Sequence, residues 1–351
     1  MSTLSLGRFP HLDAKWAYTS RRIDRARARA VEPAPTGLRA GDLILAQVAE
    51  VGHHSGVQLA LGRRAQLYPG DLVVVPLGDR YAPDQYEADA AIEVGRCHLV
   101  AAGGMAGLVR RQHAAMKPPT QLEVLGAVLD ADGVRLRLAD AALPARHEPR
   151  RIPALAVVGT SMNSGKTTTV ASLVHGLARA GLRVGAAKVT GTGAPNDPMA
   201  YADAGASLVL DFTDAGYAST YRVPLGEIEA ILMTLIAHLQ AAAVDAAVIE
   251  IADGVLQAET AALLASPVLE RMSDGLLFAA ADAVSAVAGA ERLCRAGRPL
   301  CAVSGLFTAA PLAVLEAAAG CPVPVLTREQ LRQPEIAQGL LPQPAGAALA
   351  A

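Results

Sequence analysis

One ten-residue segment, Gly159–Thr168, carries the residue types needed to bind an anion and a metal ion together. It reads Gly-Thr-Ser-Met-Asn-Ser-Gly-Lys-Thr-Thr. A glycine-containing turn that opens a helix directs backbone N–H groups at a phosphate, and the positive helix end adds to the attraction. The Lys166 ammonium would reach the β- and γ-phosphates of a nucleoside triphosphate, and the Thr167 hydroxyl would ligate Mg²⁺. The predicted nucleotide-binding residues are Gly159, Thr160, Asn163, Ser164, Gly165, Lys166, Thr167 and Thr168.

Three more charged residues follow apolar runs that are typical of buried strands. Glu250 ends such a run, where a carboxylate needs a cation, and we predict that it binds Mg²⁺ or orients a nucleophile; a helix cap or salt bridge is the alternative. Asp253 precedes a glycine and is either a further Mg²⁺ ligand or a turn residue. Lys188 ends an earlier strand and would hold an anionic substrate, with a surface lysine as the alternative. The predicted catalytic residues are Lys166, Lys188 and Glu250.

The segment after Lys188 is rich in glycine, threonine and asparagine. Residues 190–197 read Thr-Gly-Thr-Gly-Ala-Pro-Asn-Asp. Loops that follow strands often carry binding residues. Thr190, Thr192 and Asp197 are therefore candidates for contacts with a substrate or with the γ-phosphate, and a plain surface loop is the alternative.

The elements that must position these residues alternate between strand and helix from Ala154 onward. Ala154–Val158 is a continuous apolar run, as expected of a strand buried on both faces of a parallel sheet. Apolar residues at helical spacing follow Gly159–Thr168, so the segment lies between a strand and a helix, which is the context of a P-loop. The alternation continues to about residue 326 and predicts an α/β fold with a mainly parallel sheet.

The N-terminal part has a different pattern, with short apolar runs that each follow a Gly-Asp turn. This pattern predicts a smaller β-rich domain before the α/β domain. A proline-rich stretch separates the two patterns and indicates a linker. The predicted organisation is a polar Arg-rich segment (1–37), a β-rich domain (38–143), a linker (144–153), a P-loop domain (154–333) and a flexible tail (334–351).

Composition excludes several classes of protein. The 351-residue chain has 31 basic and 33 acidic residues, so it has no overall charge that would attract nucleic acid or an anionic membrane. We interpret the Arg-rich run at 21–29 as a solvated helix face rather than a nucleic-acid arm. No signal peptide and no bilayer-spanning run is recognisable, so we expect a cytoplasmic protein. The sequence leaves open whether the protein forms a homodimer.

The four cysteines and the histidines beside two of them do not match a standard metal site. Cys97, Cys294, Cys301 and Cys321 have no Cys-x-x-Cys spacing, which argues against a disulfide framework and a structural zinc. The pairs His53-His54 and Cys97-His98 match no standard ligand set. We therefore expect structural roles for them.

The loop departs from the commonest P-loop pattern, because Thr160 stands where the first glycine usually lies and Gly159 precedes it. In this respect it resembles dethiobiotin synthetases, which use ATP to activate a carbamate. Lys188 matches the substrate-facing lysine of that group, and Glu250 its strand-ending glutamate. The resemblance covers about residues 154–326 and implies ATP and Mg²⁺ as cofactors. The strand that would carry the adenine-reading asparagine ends in Ser304 instead, and the guanine-reading Asn-Lys-x-Asp motif is absent, so ATP and GTP both stay open.

A second group, the D-glutamate N-acetyltransferase family, is similar in the Gly-Thr opening of the loop and in its two-domain layout. The function predicted from the sequence is ATP-dependent activation of a small carboxylate-like substrate by phosphoryl transfer. One alternative is a regulatory or cofactor-maturation NTPase that acts on a protein partner. The other is an acyltransferase that uses the loop to bind coenzyme A.

Overall fold

The computed structural model describes residues 14–93, 95–146, 149 and 151–342. These residues divide into two compact units. The first unit contains the described residues up to 145 together with 191–196 and 212–222, and the second contains those of 146–190, 197–211 and from 223 onward. Whether either unit folds alone stays a prediction.

The first unit is built mainly from strands. They are β1 (Lys15–Trp16), β2 (Ala30–Glu32), β3 (Leu43–Glu50), β4 (Gly56–Gln58), β5 (Arg64–Gln66), β6 (Leu72–Pro76), β7 (Arg80–Tyr81), β8 (Tyr86–Asp89), β9 (Arg96–Ala101), β10 (Met105–Gln112) and β11 (Thr120–Leu129). Within the described residues, nine of them form one sheet in the order β1-β6-β3-β11-β9-β10-β8-β7, with β2 also on β11. Strands β4 and β5 form a separate pair.

Both faces of this larger sheet are buried. On β3, Leu43 and Leu45 belong to one hydrophobic cluster, whereas Ile44 and Ala46 belong to another. Successive residues of a strand point to opposite faces, so the two clusters cover the two sides of the sheet.

The histidine and cysteine pairs lie in this first unit. His54 is buried and its Nε2 lies 3.2 Å from Nη1 of Arg80. Burial, and then the charge of Arg80, lower the pKa of His54 to about 3. Burial raises the pKa of the Cys97 thiol to about 12. In the described ranges, no three or more His, Cys, Asp or Glu side chains are grouped so that they could hold a metal ion.

We expect the protein to become less stable as the pH is lowered, partly because of His54. The unfolded chain binds a proton on this residue below pH about 6.5, whereas the folded chain binds it only near pH 3, so stability is full above 6.5 and declines below it. The slope should reach at most about 1.4 kcal/mol per pH unit. Urea unfolding between pH 7 and 4 should show a shallower slope for His54→Gln, with the exposed His113→Gln as control. Equal slopes in wild type and His54→Gln would contradict the prediction.

The second unit alternates strands and helices. Its strands are β12 (Ala154–Gly159), β13 (Val184–Lys188), β14 (Leu208–Asp211), β15 (Ala246–Glu250), β16 (Gly275–Ala280) and β17 (Leu300–Gly305). The helices are α1 (Lys166–Arg179), α2 (Asn196–Asp203), α3 (Leu225–Ala241), α4 (Ala258–Ala265), α5 (Pro267–Met272), α6 (Ala283–Arg295), α7 (Pro311–Gly320), α8 (Arg328–Leu331) and α9 (Pro334–Gly339).

Among the described residues, these six strands form one parallel sheet in the order β14-β13-β15-β12-β16-β17. Its central strand β12 is buried at every residue, which explains the continuous apolar run of the sequence. The predicted fold class, α/β with a mainly parallel sheet preceded by a β-rich region, is confirmed. None of the helices in the described ranges combines the length and the apolar character needed to cross a bilayer.

Two local expectations differ from the structure. The Arg-rich run contains a 3₁₀ turn at Arg25–Arg27, capped by Asp24, where a helix face was expected. The tail expected to be flexible from residue 334 begins instead with α9, whose Ala337 is fully buried in the core beside α1. Alanine and proline are compatible with a short helix when Pro334 occupies its first turn, where no backbone N–H is needed.

Candidate active site

The predicted phosphate-binding loop runs from the end of β12 to the start of α1. Thr160 donates its backbone N–H to the carbonyl oxygen of Ala279 on β16 at 3.0 Å, so strand pairing continues into the loop. Gly165 has a φ of 92°, a left-handed conformation that residues with a Cβ disfavour. A Cβ there would also lie 2.8 Å from the backbone nitrogen of Leu306. The strand, turn and helix of a P-loop are therefore present.

Two hydroxyl groups of this loop are buried without a hydrogen-bond partner among the described residues. They are Thr160 Oγ1 and Ser164 Oγ. A buried hydroxyl left unpaired is unfavourable by about 1–3 kcal/mol. By contrast, the Thr168 hydroxyl donates to the carbonyl oxygen of Gly165 at 2.9 Å and so belongs to the helix start. The loop thus contains polar groups that a bound polar ligand can satisfy.

Lys166 is the first residue of α1 and is buried, with 6% of its surface exposed. Its Nζ donates to the carbonyl oxygen of Ser161 at 2.7 Å rather than to a carboxylate within the described part of the chain. Burial lowers the pKa of Lys166, and the charges of Glu250 and Asp253 offset only part of this effect. A phosphate bound in the loop would supply the missing counter-charge.

Lys188 and Glu250 lie side by side at the carboxyl ends of β13 and β15, because the strand register pairs them directly. Alternate residues of a strand share one face. Val184 and Ala186 belong to the hydrophobic cluster that contains the apolar residues of α1, so Lys188 points to that face as well. The same alternation on β15 directs Glu250 to the face covered by α1.

Helix α2 contributes two side chains to the same place. Asp197 and Tyr201 are four residues apart and therefore share one face of this helix. Asp197 accepts a hydrogen bond from the Thr167 hydroxyl at 2.8 Å and pairs with the Lys188 ammonium. Tyr201 is fully buried, and its hydroxyl donates to Oε2 of Glu250.

The charges of this cluster largely compensate one another. Burial alone would lower the pKa of Lys188, but Asp197 and Glu250 outweigh it and raise that pKa. Burial would raise the pKa of Asp197, but the charge of Lys188 and the hydrogen bond from Thr167 bring it below its ordinary value. The second carboxylate, Glu250, lies 3.4 Å from Nζ of Lys188 through Oε1. Lys188 therefore has two acidic partners within the protein itself.

The oxygen atoms of three side chains meet beside the loop and fit the predicted Mg²⁺. Thr167 Oγ1 lies 2.8 Å from Oδ1 of Asp197 and 3.4 Å from Oε2 of Glu250. Carboxylate and hydroxyl oxygens are the ligands that Mg²⁺ prefers. Thr167 and Glu250, with Asp253 as a possible third, are the metal ligands predicted from the sequence, and Asp197 lies within hydrogen-bonding distance of Thr167.

The remaining predicted residues lie in different surroundings. Asp253 precedes Gly254, where a Cβ would lie 2.3 Å from the carbonyl oxygen of Thr160, so this turn passes close to the start of the loop. The Thr190 hydroxyl donates to the carbonyl oxygen of Ala252. Thr192 belongs to the first unit, where it forms a β-bridge with Ser219, and the site described here does not include it.

Sequence reasoning missed Tyr201 and did not predict the contacts of Asp197 with Thr167 and Lys188. Only 3% of residues are aromatic, and Tyr201 is the one tyrosine of the second unit, so its presence four residues after Asp197 was a usable signal. The four-residue spacing shows that the two side chains share a helix face, but it does not show which residues that face contacts. All side chains of the site, from the loop to Glu250, belong to the second unit.

Comparison with known proteins finds similarity in solved structures only. No protein-family model matches the chain, and no curated protein matches it. The chain is similar to the signal recognition particle receptor FtsY from Elizabethkingia anophelis in complex with GDP, at 15% identity and a TM-score of 0.39, over 56% of this chain and 65% of that one. It is also similar to the 54 kDa protein of the signal recognition particle from Aeropyrum pernix K1 in complex with GDP. That match has 20% identity, a TM-score of 0.37, and covers 53% of this chain and 44% of the other.

A third similar structure is the chloroplast FtsY from Physcomitrella patens, with 14% identity, a TM-score of 0.38, and coverage of 57% of this chain and 68% of that one. The chain thus covers less than two thirds of the length of the first receptor and of the 54 kDa protein. At this level of identity the likeness concerns the fold alone. These matches do not specifically support the resemblance to dethiobiotin synthetases that the sequence indicates.

Proposed function

We propose that this protein is a Mg²⁺-dependent enzyme that binds a nucleoside triphosphate in the loop 159–168 and transfers or hydrolyses its γ-phosphoryl group. The main observation behind this proposal is the surroundings of the Lys166 ammonium, which is buried and donates to a backbone carbonyl oxygen. Among the described residues, the buried ammonium bonds to the Ser161 carbonyl oxygen rather than to a carboxylate, and two hydroxyls of the same loop have no hydrogen-bond partner. This arrangement at the N-terminus of α1 is suited to a polyphosphate.

The residues around Lys166 suggest how such a reaction would be assisted. Thr167, Asp197 and Glu250 would hold Mg²⁺, which neutralises charge on the phosphate oxygens when it is bound. Lys166 would stabilise the negative charge that develops on the transferred phosphoryl group. Lys188 holds the two carboxylates in place, because it pairs with both.

The finer form of the proposal is transfer to a small carboxylate-like substrate, which the resemblance to dethiobiotin synthetases supports. In that form Lys188 would also hold the anionic substrate. The internal pairing of Lys188 with Asp197 and Glu250 means that a substrate would have to share this ammonium. The proposal includes both ATP and GTP as the nucleotide, and the experiments below test each of them.

The two rival functions differ in the ligand that they require. An acyltransferase that binds coenzyme A has no need of the oxygen cluster formed by Thr167, Asp197 and Glu250. A regulatory NTPase would use that cluster but would respond to a macromolecule. Turnover that rises on addition of a small acid supports the enzyme, and turnover that rises only with a protein supports the regulator.

We expect ATP or GTP with Mg²⁺ to raise the melting temperature of the protein. A ligand at one hundred times its Kd stabilises the folded state by about 2.7 kcal/mol, which corresponds to a shift of a few degrees. The measurement is a thermal-shift titration of ATP, GTP and coenzyme A, each with Mg²⁺ and with EDTA. Nucleotide shifts should shrink in EDTA. A shift with coenzyme A and none with either nucleotide would overturn the proposed function.

A further inference from the structure

Tyr201 makes a contact that the proposed function does not yet use. Its side chain is 0% exposed, and its hydroxyl donates to Oε2 of Glu250. The same oxygen lies 3.4 Å from Oγ1 of Thr167, whereas the other oxygen, Oε1, lies 3.4 Å from Nζ of Lys188. The tyrosine is therefore bonded to the carboxylate oxygen that faces the metal-ligating threonine.

This contact limits the orientation of the carboxylate. The terminal torsion of a glutamate side chain is broad, so a buried carboxylate turns unless partners hold each oxygen. Tyr201 holds one oxygen and Lys188 attracts the other.

The position of Tyr201 on α2 links this contact to the second acid. Asp197 lies one turn earlier on the same helix face and accepts from the Thr167 hydroxyl. A single short helix therefore contacts the threonine through its first turn and the glutamate through its second. Partners of metal ligands fix ligand orientation in this way, and their removal typically weakens metal binding tenfold to a hundredfold.

We propose that Tyr201 is a positioning residue, which holds the Glu250 carboxylate toward Thr167 so that the two can ligate the metal ion of a bound metal–nucleotide. The inference rests on the proposed function, because it requires that a metal–nucleotide binds here. Tyr201 acts through Glu250, which accepts its hydrogen bond. Its ring also packs in the core beside α1, so the hydroxyl must be tested separately from the ring.

The test is Tyr201→Phe, which removes the hydroxyl and keeps the ring. We expect ATP or GTP binding in EDTA to stay unchanged, while the Mn²⁺ concentration needed for half-maximal binding, followed by electron paramagnetic resonance in the presence of nucleotide, rises about tenfold. The matched control is Tyr86→Phe, which removes a buried hydroxyl that donates to the Lys117 carbonyl oxygen at 2.6 Å in the first unit. The control should leave the Mn²⁺ requirement unchanged.

A double-mutant cycle keeps the test decisive if Tyr201→Phe also lowers stability. If Tyr201 acts through Glu250, the Mn²⁺ requirement of Tyr201→Phe/Glu250→Gln should equal that of Glu250→Gln alone. Additive effects, or an unchanged Mn²⁺ requirement in Tyr201→Phe, would overturn the positioning role. A wild-type protein that binds neither nucleotide would instead overturn the proposed function, so the two failures are distinguishable.

Discussion

Replacing Lys166 with alanine should abolish most of the stabilisation that ATP or GTP with Mg²⁺ gives to the protein. The variant loses the ammonium that lies at the start of α1, and a charge-assisted contact to phosphate is among the strongest polar interactions in proteins. We expect nucleotide affinity to fall by about a hundredfold or more, which is about 2.7 kcal/mol. The measurement is the nucleotide-dependent thermal shift, with isothermal calorimetry for the affinity.

The same variant should not unfold the protein. Burial lowers the pKa of Lys166, so its charge is unfavourable in the folded chain without a ligand, and its removal should leave the melting temperature of the free protein unchanged or raised. Arg179→Ala, an exposed change in the last turn of the same helix, is the matched control and should keep the full nucleotide shift. If Lys166→Ala keeps that shift too, the loop 159–168 is not the nucleotide site.

The phosphate loop and the strand ends could be predicted because their signals are local. Gly159–Thr168 contains its own turn, helix start and cation, so its meaning does not depend on distant residues. Lys188 and Glu250 each follow an apolar run, and parallel strands bring their carboxyl ends to one edge of the sheet. The structure adds that β13 and β15 are neighbours and that their register pairs these two residues side by side.

The role of α2 could not be predicted because it depends on how a helix packs against a distant part of the chain. Asp197 is only nine residues from Lys188, but its other partner, Thr167, is 30 residues away. Tyr201 reaches across 49 residues to Glu250. A glycine- and proline-containing loop does not determine where the following helix packs, so sequence alone suggested a substrate contact for Asp197.

The last prediction concerns the two acids near the end of β15. Glu250 is 1% exposed and accepts from the Tyr201 hydroxyl, while Oε1 faces Lys188. Glu250→Gln keeps the size of the side chain and an acceptor oxygen for Tyr201, so the fold and nucleotide binding in EDTA should persist. The negative charge is lost from the group placed to ligate Mg²⁺, and turnover should fall by about a hundredfold or more, as expected for one preorganised electrostatic group. Asp253→Asn should be milder, because Asp253 directly precedes Gly254 in the turn that passes the start of the loop, where an aspartate serves mainly as a turn residue. Both variants are compared by basal ATP or GTP hydrolysis, and by the full reaction when a substrate is identified. An inactive Asp253→Asn beside an active Glu250→Gln would reverse the two roles and would remove Glu250 from the proposed metal site.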